Sequence, residues 1–310
     1  QQEDEEDAST TSTASIAPES ILRHVDLTES CFLLPNDETT NDNPLNSHEP
    51  RLDYDSDDPE EQLLQQPVQT GVYEGGLQVW ECSWDLVRYL QAHPIHHHIT
   101  LEANCRVLEL GCGHALPGLY LLRQSLLSTT NNNNNNMSLV LTDYNHSVLY
   151  NAVVSNLVLN GVQALLYHKN NDNDNTTEDA AQQQQVQACQ QIASQVQCAH
   201  GDWLGLLEQK DNNNDSIVEP FDVILAAETC YTWRAAQETC RLVAQLLNPK
   251  SPSSVALIAT KRYYFGVGGG SEAFLQALQE YPQLQATTVQ VVDNGRQNIR
   301  EILQVTRRSN

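Results

Sequence analysis

The sequence predicts an α/β domain: a mostly parallel sheet covered by helices on both faces and closed by an antiparallel C-terminal hairpin. Three observations carry that prediction. Apolar runs of strand length alternate with helix-period segments from Cys105 to Tyr281. A glycine-rich turn follows the first of those runs, and two β-rich segments flank Asn294-Gly295, a hairpin dipeptide.

Taken in order, Cys105–Leu110 reads as a buried strand, followed by the turn and a helix from about Leu116. Ser138–Asp143 is a second strand. Asn145 is placed to cap a helix with the apolar stripe Leu149, Val153 and Leu157, and Gly161 is its expected stop. A weaker strand precedes Gly201. Phe221–Ala227 is a strand, Ala235–Leu247 a helix and Ser254–Thr260 another strand. Ser271–Tyr281 is helical, and Thr287–Val292 and Ile299–Val305 form the hairpin. Four tracts, Asn131–Asn136, Asn170–Asn175, Gln182–Gln185 and Asn212–Asn214, lack periodicity and read as surface insertions.

The 310 residues carry a formal net charge of −24, which excludes a surface that grips nucleic acid or anionic lipid through basic groups. No stretch reads as an apolar run of bilayer-spanning length, so a soluble chain is expected. The acidity is uneven. Residues 1–70 hold 18 of the 40 acidic residues but only Arg23 and Arg51 as bases. Residues 1–66 are therefore expected to be an acidic, mostly disordered segment, with Ile21–Leu34 able to dock as a short element, and 67–310 the folded domain. The chain opens on Gln1, not Met, which leaves a preceding targeting segment open. The eight cysteines form no C-x-x-C pair and read as small hydrophobes of a reduced intracellular protein. His93 and His96 to His98, beside Pro94, read as a loop, so no metal site is expected.

In parallel sheets, ligands bind beyond the carboxyl ends of the strands. Glu109-Leu110-Gly111-Cys112-Gly113 lies at the first such end. Its glycines admit a ligand to the backbone, while no third glycine stands in dinucleotide register. A carboxylate directly before the glycines suits a ligand bearing a cationic amino group, not a diphosphate. Asp143 can take two ribose hydroxyls, with Tyr144 covering an adenine edge. Asp202 offers a carboxylate to the adenine amino group and Trp203 a ring to stack on. Singly, each is as well explained by capping or core packing. Jointly, Glu109, Gly111, Gly113, Asp143, Asp202 and Trp203 describe a pocket for S-adenosylmethionine.

Four segments then carry a family resemblance. These are Gly71 to Leu86, containing Tyr73-Glu74-Gly75-Gly76 and Trp80-Glu81; Asp143-Tyr144-Asn145; Ala227-Glu228-Thr229-Cys230-Tyr231; and Tyr264-Phe265-Gly266-Val267-Gly268-Gly269-Gly270. Together they resemble the seven-strand protein-histidine methyltransferases over roughly 68–305. The Trp-Glu element is shared with related lysine methyltransferases, whereas the two glycine-rich elements are narrower. His114, Pro117 and the Asn/Gln tracts depart from the pattern.

The resemblance implies a seven-strand, Rossmann-like class I methyltransferase sheet using S-adenosylmethionine. It implies methylation of the tele nitrogen of a histidine in the third protein of the large ribosomal subunit, by a monomer in cytoplasm and nucleus. It places the cofactor against Val79, Trp80, Glu81, Cys82, Ser83, Gly111, Thr142, Asp143, Tyr144, Gly201, Asp202, Trp203 and Ala227.

Attack on a sulfonium methyl needs collinear geometry and an acceptor for the opposite imidazole N–H. Glu228 or Asn145 is expected to supply that acceptor, with Tyr231 shaping the mouth. Phe265, Gly266, Gly268, Gly269 and Gly270 are expected to admit the substrate. Glu228 as a cap of the following helix, and Gly266 to Gly270 as a plain helix-start turn, are the structural alternatives. Two rival functions stand beside this one: a lysine methyltransferase, since Glu228-x-x-Tyr231 also suits an amine acceptor, and a non-catalytic ribosomal-protein-binding module.

Overall fold

The computed structural model describes residues 75–93, 104–128, 137–165, 178–208, 219–293, 295 and 298–308. All of them fall in one of two compact units, Thr39–Asn310; the other, Gln1–Glu38, lies outside them, as do the acidic segment, His96 to His98, Asn294 and the three Asn tracts.

In chain order the elements are α1 (Glu81–Ala92), β1 (Arg106–Leu110), α2 (Leu116–Ser128), β2 (Ser138–Asp143), α3 (His146–Leu165), α4 (Glu178–Gln195) and β3 (Val196–His200). There follow α5 (Leu204–Glu208), β4 (Val223–Ala227), α6 (Trp233–Leu246), β5 (Val255–Lys261), α7 (Ser271–Leu278), β6 (Leu284–Val292) and β7 (Arg300–Arg307). The strands make one seven-stranded sheet in the order β3-β2-β1-β4-β5-β7-β6. Five are parallel, and β7 inserts antiparallel between β5 and β6. This is the expected seven-strand class I layout with its C-terminal hairpin.

The central strands are apolar on both faces because helices cover both, and two clusters form the core. One packs α1, α2 and α3 against the sheet through Leu86, Leu119 and Val153; the other packs α6 and α7 through Leu242 and Phe274. The chain order reverses between β1 and β4, so the ends of those strands, with β2 and β5 beside them, are where a ligand belongs.

Several local expectations are corrected. Gly161 does not stop α3, which continues to Leu165; it lets α4 approach, since a Cβ there would stand 2.8 Å from Ile192 Cδ1. Asn145 occupies the N-cap position of α3 without a side-chain cap; Asp143 Oδ1 accepts from the Asn145 N–H instead, at 3.1 Å. The helix carries π-turns at Leu149–Val153 and Val158–Val162. It is long and apolar enough to cross a membrane, contrary to the sequence reading, yet half of that stretch is buried inside the domain. Gln182–Gln185 is no loop insertion but part of α4, which seats Ala188 and Ile192 in the core. Gln is a good helix former, so the tract suits this place. Among the described cysteines all are free, and Cys82, Cys105, Cys112, Cys230 and Cys240 are buried.

One buried ion pair fixes α1 to the sheet. The Arg300 guanidinium of β7 donates through Nε to Asp85 Oδ2, with both side chains under a tenth exposed. Because α1 begins at the site, this pair sets its position. Replacing Asp85 by Ala leaves a buried cation and is expected to cost about 3–5 kcal/mol in urea unfolding. Arg88→Ala, which removes the exposed partner 3.7 Å from the same carboxylate, is expected to cost under about 1 kcal/mol.

Candidate active site

At the end of β1 the chain turns through Gly111 and Gly113, both in the left-handed region at φ +57° and +51°. Gly111 lies under the ring of Trp203: a Cβ would stand 3.0 Å from Trp203 Cζ2 and 3.2 Å from Thr229 Cγ2. Gly113 lies against the 75–78 turn, where a Cβ would meet the Gly76 carbonyl at 3.0 Å. The Gly113 N–H donates to Asp143 Oδ2 at 3.0 Å. A Cβ on Gly76 would in turn fall 2.9 Å from the same oxygen. His114 completes the knot. Its half-buried ring is held below the ordinary histidine range by desolvation, so it is neutral at pH 7, and Nε2–H donates to the Leu77 carbonyl at 2.8 Å. Asn156 Nδ2 donates to the His114 carbonyl at 3.0 Å.

Four of the residues expected at the ligand have partners of their own within the chain. Asp143 is buried, and both its oxygens accept backbone N–H groups, so it ties loop to loop. Glu109 does not face the cleft: it lies beneath α2, where Oε2 accepts from the Gly118 N–H at 2.8 Å. Burial pushes its carboxyl up to about 8, opposed by that hydrogen bond and aided by the Asp143 charge. Thr142 is likewise turned inward, its hydroxyl donating to the Glu109 carbonyl at 2.9 Å. Asp202 caps α5, Oδ1 accepting from the Leu204 N–H at 2.9 Å. Tyr144 and Ala227 are half-buried at the ends of β2 and β4, and Gly201, at φ +116°, donates its N–H to the Asp143 carbonyl.

What remains open to a ligand is the glycine turn with the amides opening α2, and Trp203, whose buried Nε1 has no hydrogen-bond partner. An orphaned indole donor over a side-chain-free turn fits a group offering acceptors and an apolar face, as S-adenosylmethionine does.

The second cluster gathers between the ends of β4 and β5. Glu228 follows β4 in the left-handed region at φ +59°, a conformation that costs a non-glycine residue energy and must be held by its surroundings. Tyr264 donates its hydroxyl to Glu228 Oε2, and Lys261, at the end of β5, places Nζ 3.6 Å from Oε1. That Oε1 is buried without a hydrogen-bond partner. Burial and the Glu228 charge hold the Tyr264 phenol far above its ordinary range, so it is a donor at every working pH. Cys82, expected against the cofactor, is buried in the core; burial and then Glu228 raise its thiol, which is un-ionised. Trp80 donates Nε1–H to the Gly75 carbonyl at 3.0 Å, and Glu81 reaches Lys261 at 3.4 Å. Val79 and Ser83 flank them, half-buried.

Glu228 is not a helix cap. Thr232 takes that place on α6, its Oγ1 accepting from the Ala235 N–H at 3.0 Å. Nor do Glu228 and Asn145 compete for one place. They follow β4 and β2, with β1 between, which sets their strands about 10 Å apart. The glycine loop lies with Glu228: Gly268 bridges to Thr232, and Gly270 donates its N–H to the Cys230 carbonyl at 2.8 Å. Tyr231 is half-buried beneath it.

The loop glycines divide. A Cβ on Gly269 would overlap the Cys230 and Tyr231 backbone, and one on Gly270 the Arg262 backbone, so packing explains both. Gly266 and Gly268, at φ +84° and +75°, face open space. Beside them a groove of about 510 Å³ is lined by Trp233, Tyr263, Tyr264 and Phe265, the last 82% exposed. Lys261 and Tyr264 were not singled out as site residues from sequence, although Tyr264 begins the second glycine motif.

With this geometry in view, comparison with known proteins places the chain. Residues 59–187 match a family model described as lysine methyltransferase. A histidine protein methyltransferase 1 homolog of Dictyostelium discoideum is 30% identical over 240 residues, covering 77% of this chain and 60% of that protein. The Bos taurus homolog is 27% identical over 226 residues, covering 73% and 54%. The chain thus spans a little over half the length of these relatives. A magnesium protoporphyrin IX methyltransferase from Synechocystis, solved with bound S-adenosylmethionine, matches at a TM-score of 0.42 and 11% identity over 74% of this chain and 86% of that one.

The chain is therefore similar to methyltransferases over most of its length, through the relatives and through the family model matched at residues 59–187. The more particular similarity is to the histidine protein methyltransferase 1 homologs.

Because the Glu109 carboxyl in the folded chain sits near 8, well above its ordinary 4.5, its contribution to stability is complete below about pH 4.5 and is lost as pH rises through 8. Glu109→Gln keeps an acceptor for the Gly118 N–H and cannot ionise. In denaturant melts at pH 5 and pH 9, the variant is expected to gain on wild type at the higher pH.

Proposed function

We propose that this chain is a protein-histidine methyltransferase that methylates the tele nitrogen of a histidine in the third large-subunit ribosomal protein. One observation carries the histidine reading: the buried Glu228 Oε1 accepts no hydrogen bond, with only the Lys261 ammonium 3.6 Å away, in the loop against which the glycine segment packs. An imidazole attacking through one nitrogen needs its opposite N–H held by such an acceptor.

When bound, S-adenosylmethionine supplies a sulfonium methyl, and transfer exchanges a C–S bond for an N–C bond. The chain's own residues do the rest. Glu228 accepts the pros N–H of the substrate, which fixes the tautomer that exposes the tele nitrogen, and takes the proton as the ring becomes cationic. Tyr264 holds the other carboxylate oxygen, which leaves Oε1 as the acceptor. Gly266 and Gly268 leave the approach clear, and Trp203 with the Gly111–Gly113 turn forms the donor side. A neutral imidazole is already nucleophilic at pH 7, so positioning and charge stabilisation suffice.

The lysine reading draws support from the description of the matched family model, but that match ends at residue 187, before Glu228, Lys261 and the glycine loop. It therefore speaks to the donor half. The ribosomal substrate, monomeric state, and cytoplasmic and nuclear location belong to the same proposal, on the strength of the four motif segments; the acidic N-terminal segment, a net −16 over residues 1–70, favours a basic partner.

Incubation with labelled donor and the ribosomal protein, followed by mass spectrometry of the modified residue, tests the proposal. Label on histidine is expected; label on lysine, or donor uptake without transfer, contradicts it. Glu228→Gln is expected to lower kcat by about 10²–10³ while donor Kd changes little. Gly268→Val, forced into an unsuitable backbone region, is expected to cut turnover with donor binding nearly intact; equal loss of both contradicts a substrate-side role.

A further inference from the structure

The groups around Lys261 form a cage for a cation. Its Nζ lies 3.4 Å from Glu81 Oε2 and 3.6 Å from Glu228 Oε1, and stands over two rings, 5.3 Å from the Trp80 centroid and 5.6 Å from that of Tyr264. Two carboxylates and two aromatic faces are the chemistry that would receive a substrate ammonium. Here the chain fills that cage with its own side chain.

We propose that Lys261 is the specificity-determining residue that refuses lysine as the methyl acceptor. The inference rests on Glu228 marking the acceptor site. A lysine acceptor arrives as an ammonium and must be drawn in by carboxylates before losing its proton. With Lys261 in place, Glu81 and Glu228 are already paired, the ring faces are covered, and a second ammonium meets like charge at close range. A neutral imidazole meets none of these obstacles, because it needs only a lone pair of Glu228 Oε1, which accepts no hydrogen bond. The ammonium is secure in its place. Burial works against its charge, but Glu228 and Glu81 outweigh that and hold Lys261 above its ordinary range. The other titratable groups facing it, the Cys82 thiol and the Tyr264 phenol, are both un-ionised.

The test uses the protein substrate that wild type labels in the experiment above, and the same substrate with its acceptor histidine replaced by lysine. Wild type is expected to label only the histidine form. Lys261→Met, close in length and uncharged, is expected to raise labelling of the lysine form at least about tenfold, with the modified residue confirmed by mass spectrometry. Lys261→Arg keeps the cage filled and is expected to refuse the lysine form. If Lys261→Met fails to fold by thermal melt, Lys261→Gln takes its place. The wild-type arm decides on its own as well: labelling of the lysine form at a rate comparable with the histidine form overturns the inference, as does a folded Lys261→Met that still refuses it. Failure of wild type to label any histidine is a different outcome and counts against the histidine reading itself.

Discussion

The proposed acceptor half of the site depends on one side chain held in an unfavourable backbone conformation. Glu228 leaves β4 at positive φ, and nothing in its own chemistry favours that region. What holds it is the pairing of its carboxylate with Lys261 and Tyr264, both supplied by the segment that leaves β5. Because β4 and β5 are hydrogen-bonded neighbours in register, Ala227 opposite Ala259, the two loops must emerge side by side. The sheet thus brings carboxylate and ammonium together, and their attraction fixes the carboxylate's aim. Strain of this kind persists where surrounding structure over-determines it, and such places are commonly functional.

The donor half is built on a different principle. There the contacts are backbone amides and carbonyls drawn together by residues without side chains. Gly76, Gly111 and Gly113 permit the 75–78 turn, the β1–α2 turn and the Trp203 ring to lie within van der Waals reach. Asp143 and His114 then stitch these turns with hydrogen bonds to backbone. Charged residues near the glycines serve this knot first: Glu109 supports α2 from beneath, and Asp202 caps α5. A division follows between a donor side ordered by close packing and an acceptor side ordered by charge.

The sheet was largely legible in the sequence, because a strand buried on both faces is an apolar run whatever its neighbours. Val223–Ala227 and Val255–Lys261 were placed within a residue or two of their observed limits at most edges. Helix α4 was hidden because Gln182–Gln185 has no apolar period, although Ala188 and Ile192 anchor it a turn or two later. Gly161 misled because a glycine near a helix end signals a stop, whereas here it signals the approach of Ile192 from a distant element. Among site residues, Glu228 and the glycine loop could be marked locally. Lys261 could not. A single lysine at the end of an apolar strand carries no spacing signal, and three of its four partners lie on two distant segments. Asp143 and Glu109 were marked for the ligand from sequence, which shows a carboxylate but not the backbone amides that each also accepts.

The central claim is that Glu228 Oε1, ion-paired with Lys261 but accepting no hydrogen bond, receives the acceptor ring. The most direct measurement is a crystal structure of the chain with the demethylated cofactor product and a substrate segment bound. The account predicts an imidazole nitrogen within about 2.7–3.0 Å of Glu228 Oε1, with the other ring nitrogen facing the donor sulfur. An acceptor ring seated instead over Asn145 at the end of β2, or a lysine side chain lying against Glu228, would contradict it.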